Sequence, residues 1–435
     1  NIYYLKINIY LSYLDVLGEK NTTISTTNSI IVGKENNDNL SKNSVSIGLK
    51  NASVRPISSI VGGEENSVTD VSNTIVYGKK NIVNTSKQSI IVGSENNSNF
   101  DNNSGIIGDN NTNNTVQNML VVGHDNTSTS NLSNLTVGKS NNVTNSETSG
   151  IFGSDNTENN SEASMVIGSS NITNTNVDSI IVGKQNEVEN NKRIGVIGNI
   201  IDVSNNTENS LLVGKNHREK TGKQNITGGE SNKLTTTINN ITGGSSNEIT
   251  DGSSNIVQGR SNTVSSNKNS MVFGKLNNIS NNDSIGALGS NNIVNNTSEN
   301  SLIVGFQNTE NNGTNDIVYG SLNNSTTNQN TLTGGVSNIT STNNKSMIVG
   351  DNNTITSTEN TSVLGKQNQV SQSNRSSIIG ITNNSTSSVN TIIVGESNVE
   401  KNGLSNAVFG KENDVSGASM TITSGFDNEI VDGSY

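Results

Sequence analysis

Asn28-Ser29-Ile30-Ile31-Val32-Gly33-Lys34-Glu35-Asn36 returns, with variation, along almost the whole chain. Gly33 has counterparts every 15 residues from Gly18 to Gly198. One step of 16 reaches Gly214, and the 15-residue beat resumes as far as Gly289. A second step of 16 reaches Gly305, and the beat runs on to Gly425. That makes 28 copies, and Asn stands three residues after the glycine in all but two, where Ile201 and His217 replace it. A fixed period sustained from Gly18 to Gly425 specifies a repeat architecture, in which each unit buries its apolar face on its neighbours.

Composition alone would point elsewhere. With 29 % hydrophobic and 3 % aromatic residues and an excess of Asn, Ser, Thr and Gly, the chain is close to a disordered one. Disorder has no reason to keep a beat, so the period decides. The net charge of −11 leaves no basic stripe to neutralise phosphates, and nucleic acid is not expected as a partner. There is no cysteine, hence no disulfide framework and no thiolate metal site. The single proline, Pro56, leaves backbone donors free for a ladder. No apolar run is long enough for a transmembrane helix, so any membrane anchor is expected outside this chain.

Residues 1–17 do not follow the repeat and hold Tyr3, Tyr4, Tyr10 and Tyr13. They are expected to cap the open end of the first coil, with a secretory-signal remnant as the rival reading. From Gly18 to Tyr435 each unit has two parts. The first is a strand of the type Ser-Ile-Ile-Val-Gly. The second is a shorter Asn-x-Val or Asn-x-Ile, as at Asn141-Asn142-Val143 and Asn262-Thr263-Val264. Turn-forming Asn, Ser, Thr and Lys lie between them. Two short strands and two turns in 15 residues predict one coil of a flat, all-β parallel solenoid, with coils stacked about 4.8 Å apart.

The long strand carries a further clue. Ile30 and Val32 share one face, as do Ile90 and Val92, and Leu302 and Val304. The residue between them points the other way and is never charged in any copy. A strand apolar on both faces is buried on both faces. One face fills the coil, and the other is expected to meet partner chains, because a long exposed apolar stripe invites aggregation. The middle residues Ile31, Ile91, Ile181, Ile303 and Ile393 are the expected contacts of a parallel, in-register homo-oligomer. Gly33 and Gly48 are read as structural, through close backbone approach or positive φ. Asn36 and Asn51 are read as rungs of a hydrogen-bonded ladder.

The Asn-Ser-Ile-Ile-Val-Gly-x-x-Asn unit resembles the Asn-Ser-Val-Ala-Ile-Gly-x-x-Ser repeat of YadA-like trimeric autotransporter adhesin heads. Asn43-Ser44-Val45-Ser46-Ile47-Gly48-Leu49-Lys50-Asn51 is the closest copy, and the resemblance covers residues 18–430. It implies a left-handed parallel β-roll, a tight homotrimer, and a head carried by a stalk and an outer-membrane anchor at the bacterial cell surface. The Asn- and Lys-rich composition extends the likeness to fusobacterial adhesins of this kind that bind carcinoembryonic-antigen-related (CEACAM) receptors on host cells. This sequence departs from the pattern in carrying Asn where the family has Ser or Ala after the glycine.

Little supports catalysis, and neither an enzyme nor a cofactor is expected. The two histidines, His124 and His217, lie in different parts of the array. Glu412 and Asp427 hold equivalent positions in neighbouring coils, about 5 Å apart, and are read as solvated turn carboxylates. The stretch from Lys192 to Gly222 departs most from the repeat: it takes an extra residue and carries Lys192-Arg193 and His217-Arg218-Glu219-Lys220. Arg193, His217 and Arg218, with the aromatic Phe100 and Phe306, are the candidate receptor-binding residues. Phe306 is read as lying next to the second extra residue. A structural or carbohydrate-binding trimeric fibre shaft, of a phage or surface appendage, is the alternative function. Ice binding is a poor reading, since the middle strand position has Thr only at Thr136, Thr227, Thr242, Thr333 and Thr423.

Overall fold

The computed structural model describes residues 14–432, and every regular element in that span is a strand. Each repeat supplies one long strand and one short one: Ser29–Lys34 then Asn37–Asn39, Val45–Leu49 then Ala52–Val54. The β-branched run before each glycine favours the extended chain. Long strands pair only with long strands, in parallel and in register, so that Ile31 lies opposite Ser46 and Gly33 opposite Gly48. Short strands pair likewise, Asp38 opposite Ser53. The described chain is a parallel β-solenoid of about 28 turns, one for each long strand.

Each turn has three sides rather than the two expected. The third is a column of single-residue parallel bridges, Thr27 to Lys42 to Ile57 to Ser72 and onward. It cannot lengthen into a strand because positive φ closes on it from both directions, at Leu40 (57°) and Asn43 (53°). With Glu35 (58°), that makes three non-glycine left-handed residues in one turn. Asn and Asp tolerate this region best, which is one physical source of the Asn-rich composition.

The chain divides into two compact units of the same construction, the first ending at Asn216 and the second beginning at His217. Val143, Ile151, Val166, Ile181 and Val188 belong to one core cluster of the first unit. Leu234, Ile249, Val257, Val264 and Val272 do the same in the second. Both 16-residue repeats place their extra residue after a short strand, as two consecutive left-handed residues, Asn205-Asn206 and Asn296-Thr297. The second insertion is therefore well before Phe306, not beside it.

The 17/18 boundary is not structural. Leu14–Glu19 is already a long strand, paired Leu14 to Ser29 and Gly18 to Gly33. The rest of the expected cap, with Tyr3, Tyr4, Tyr10 and Tyr13, lies outside the described residues.

The long strand is apolar on both faces, but the faces are exchanged relative to expectation. Ile31, Ile91, Ile181, Ile303 and Ile393 are buried inside their own coils and are not interface residues. The corner decides this. Ser29 turns inward, its hydroxyl donating to Thr27 O at 3.1 Å. Alternation from Ser29 then puts Ile31 and Gly33 inside and Ile30 and Val32 outside. The same inversion removes the ice-binding file altogether, because Thr136, Thr227, Thr242, Thr333 and Thr423 are buried.

Candidate functional site

The corner after each glycine is built by the asparagine ladder. Asn51 Oδ1 accepts from Asn66 N at 3.1 Å and Asn66 Nδ2 at 2.9 Å. Asn51 Nδ2 donates to Asn36 Oδ1 at 3.1 Å, Ile47 O at 3.1 Å and Gly63 O at 3.0 Å. The side chain thus satisfies backbone carbonyls that the turn would otherwise leave buried and unpaired. Gly33 has φ 125°, and a Cβ there would overlap the carbonyl oxygen of Gly48. Gly33, Gly48, Asn36 and Asn51 are therefore structural, as expected. Ile201 and His217 interrupt the ladder. Asn186 Oδ1 still accepts from Ile201 N at 3.0 Å, and His217 Nδ1 accepts from Asn232 N at 3.3 Å.

The outer face of the long-strand sheet is where function is best sought. In the first unit it shows Ile30 (43 % exposed), Ile90, Ile180 (51 %) and Leu211, flanked by Ile47, Tyr77, Ile107 and Ile197. In the second it shows Ile226 (51 %), Ile241, Ile317 and Ile392, flanked by Leu288, Tyr319 and Phe409. Asp15 is the one charged residue in these two outward columns. The other outward columns are mostly polar. The position two after the glycine alternates Lys20, Glu35, Lys50, Glu65, Lys80, Glu95, with ion pairs such as Lys20–Glu35 at 3.7 Å and Lys80–Glu95 at 3.8 Å.

The sequence-derived binding candidates are not brought together. His217 is 1 % exposed and fills a ladder position, so it is withdrawn as a receptor contact. Its ring occupies the inward corner where other turns hold Asn. Arg193 and Arg218 are exposed, the first at a left-handed corner and the second at the start of the short strand Arg218–Lys220. Phe100 (61 % exposed) is itself a left-handed turn residue, and Phe306 (45 %) follows its glycine. These residues belong to different columns of the repeat. Glu412 and Asp427 are exposed left-handed turn residues, and Lys411 lies 3.5 Å from Glu412.

The sequence reading missed a set of acids inside the coil. The inward position of the short strand, elsewhere usually Val, Ile, Ser or Thr, holds Asp38, Glu158, Glu219, Glu310 and Glu400, all buried. Asp101 and Asp316 are buried at corners. Burial pushes Asp38, Glu158 and Glu400 each up to about 7 and Asp101 to about 6, the Ser98 hydroxyl opposing the last. The signal was available as a column of the repeat, five residues after the glycine. No protein-family model and no curated protein matches this chain.

Proposed function

We propose that the chain is the head of a bacterial cell-surface adhesin, assembled as a parallel homotrimer, that attaches to a host-cell receptor protein. The observation that carries the reading is the apolar outer face of the long-strand sheet. It has the length of each stack, lies between polar columns, and in a lone chain would expose an aggregation-prone stripe. Packing parallel copies through this face covers it and leaves the turns outside to meet a receptor. The adhesin part rests on the repeat's resemblance to YadA-like heads, with a CEACAM-type ectodomain as the first receptor to try. Arg193, Arg218, Phe100 and Phe306 remain outward and are the residues to vary.

The test is the absolute mass in solution, followed by binding. One chain is 45.7 kDa, so a trimer is about three times that, roughly 137 kDa. A trimer that captures a CEACAM ectodomain, and loses capture when an exposed turn residue is changed, meets the proposal. A monomer defeats the assembly. A trimer without affinity for host-cell proteins moves the reading to the fibre shaft.

A further inference from the structure

Three turns of the second unit share an internal cassette: Glu219-x-x-Gly222-x-x-Asn225, Glu310-x-x-Gly313-x-x-Asp316 and Glu400-x-x-Gly403-x-x-Asn406. In each, the glycine stands at a corner that usually holds Ser, Thr or Asn, and a Cβ there would overlap the glutamate Oε1. The glycine therefore makes room for the carboxyl group. In the first and third cassettes the amide closes on it, Asn225 Nδ2 donating to Glu219 Oε1 at 2.7 Å and Asn406 Nδ2 to Glu400 Oε1 at 2.8 Å. In the middle one, Asp316 Oδ2 takes the amide's place. It lies 2.6 Å from the absent Cβ, against 2.6 Å for Asn225 Nδ2 and 2.5 Å for Asn406 Nδ2. An acceptor has replaced a donor at a matched position.

Among the described residues no cation pairs with either carboxyl. The hydrogen bonds that favour their charged forms, from Ser325 to Glu310 and from the Thr331 and Thr314 N–H groups to Asp316, are outweighed by burial. The Ser325 hydroxyl is the one side chain of the adjacent turns that favours an ionised Glu310. The adjacent turns present Val294, Ser325, Ser301, Thr331, Ile303 and Val318 to the pair, none of them titratable. The nearest other charge in sequence is Glu299, which is exposed; from Ile317 to Asn344 there is none, and Lys345 is the first cation beyond. Two carboxylates buried together without a cation cannot both ionise.

We infer that Glu310 and Asp316 share a proton inside the solenoid, and that losing it above neutral pH loosens the turns around Gly313. Protonated, the two carboxyls hydrogen-bond to one another, and Asp316 Oδ1 keeps the Thr331 N–H at 2.7 Å. Burial, more than the neighbouring charge, drives Glu310 upward, and it drives Asp316 upward too. Both folded-state values lie above the ordinary carboxyl range. The pair's contribution is therefore present in full in acid and is lost as pH rises. Over the range in which one proton leaves, the local opening constant grows about tenfold per pH unit.

Amide hydrogen-exchange protection, corrected for intrinsic rates, is measured from pH 5 to pH 9 on the whole protein, Asp316→Asn and Glu310→Gln. The expected result is protection over residues 302–331 that falls with pH in the parent. In Asp316→Asn the fall should shrink to that of the Glu400 cassette, and in Glu310→Gln it should vanish above pH 6. Asp316→Asn recreates an arrangement the chain already uses twice, so it should fold. Identical pH profiles for the parent and Asp316→Asn would overturn the inference, as would protection in this segment that does not change with pH.

Discussion

Asn51 shows what one residue must do in this repeat. Its side chain satisfies three carbonyl oxygens and two N–H groups across three turns. Asn51→Ala should cost about 2–3 kcal/mol, since each buried polar group left unpaired costs about 1–3 kcal/mol. Urea unfolding of the variant checks this, with the slope compared because long repeat arrays need not unfold in one step. Gly123→Ala should be worse. It combines φ 132° with a Cβ that overlaps the carbonyl of Gly138, and no side chain can yield there. Glu158 tests the opposite sign. Its carboxyl is buried and raised to about 7, so the folded state disfavours its charged form at pH 8. Glu158→Gln should stabilise by about 3 kcal/mol at pH 8 and by nothing near pH 4.

The element that matters is the short strand, because its inward position holds most of the buried acids. Asp38, Glu158 and Glu400 rise to about 7 and Asp101 to about 6, chiefly by burial. Folded-state values above the ordinary ones mean stability that is full below about pH 4 and is lost as pH rises through 6 and 7. The melting temperature should therefore climb as pH is lowered from 8 to 5, against the usual trend for paired surface carboxylates. Circular dichroism melts over that range read it directly. A flat profile would mean that these carboxyls reach solvent.

At the scale of the whole molecule the question is what covers the long-strand face. Replacing Ile181 or Ile393 by Asp does not test assembly, because both fill their own coils and the buried charge would disrupt the turn itself. Ile180→Asp and Ile226→Asp place a charge on the outer face instead. They should leave the strand signal in circular dichroism intact and lower the mass measured by light scattering towards 45.7 kDa. If the mass stays at that of the parent assembly, the face is not the interface.

The period, the strands, the structural glycine and the asparagine ladder were all readable from residue spacing, because a one-dimensional stack repeats its local chemistry at every turn. The double apolarity of the long strand was readable too. Which face lies inside was not. Alternation distinguishes two faces without saying which is inner, and the inward turn of Ser29 at the corner settles it. The third side was hidden because it is one residue wide and closed by left-handed corners on both sides. His217 looked like part of a basic surface patch, and the ladder position draws it inside. The interior acids look in sequence like any other polar turn residues; only closing the coil takes them out of water, and that desolvation gives them their chemistry.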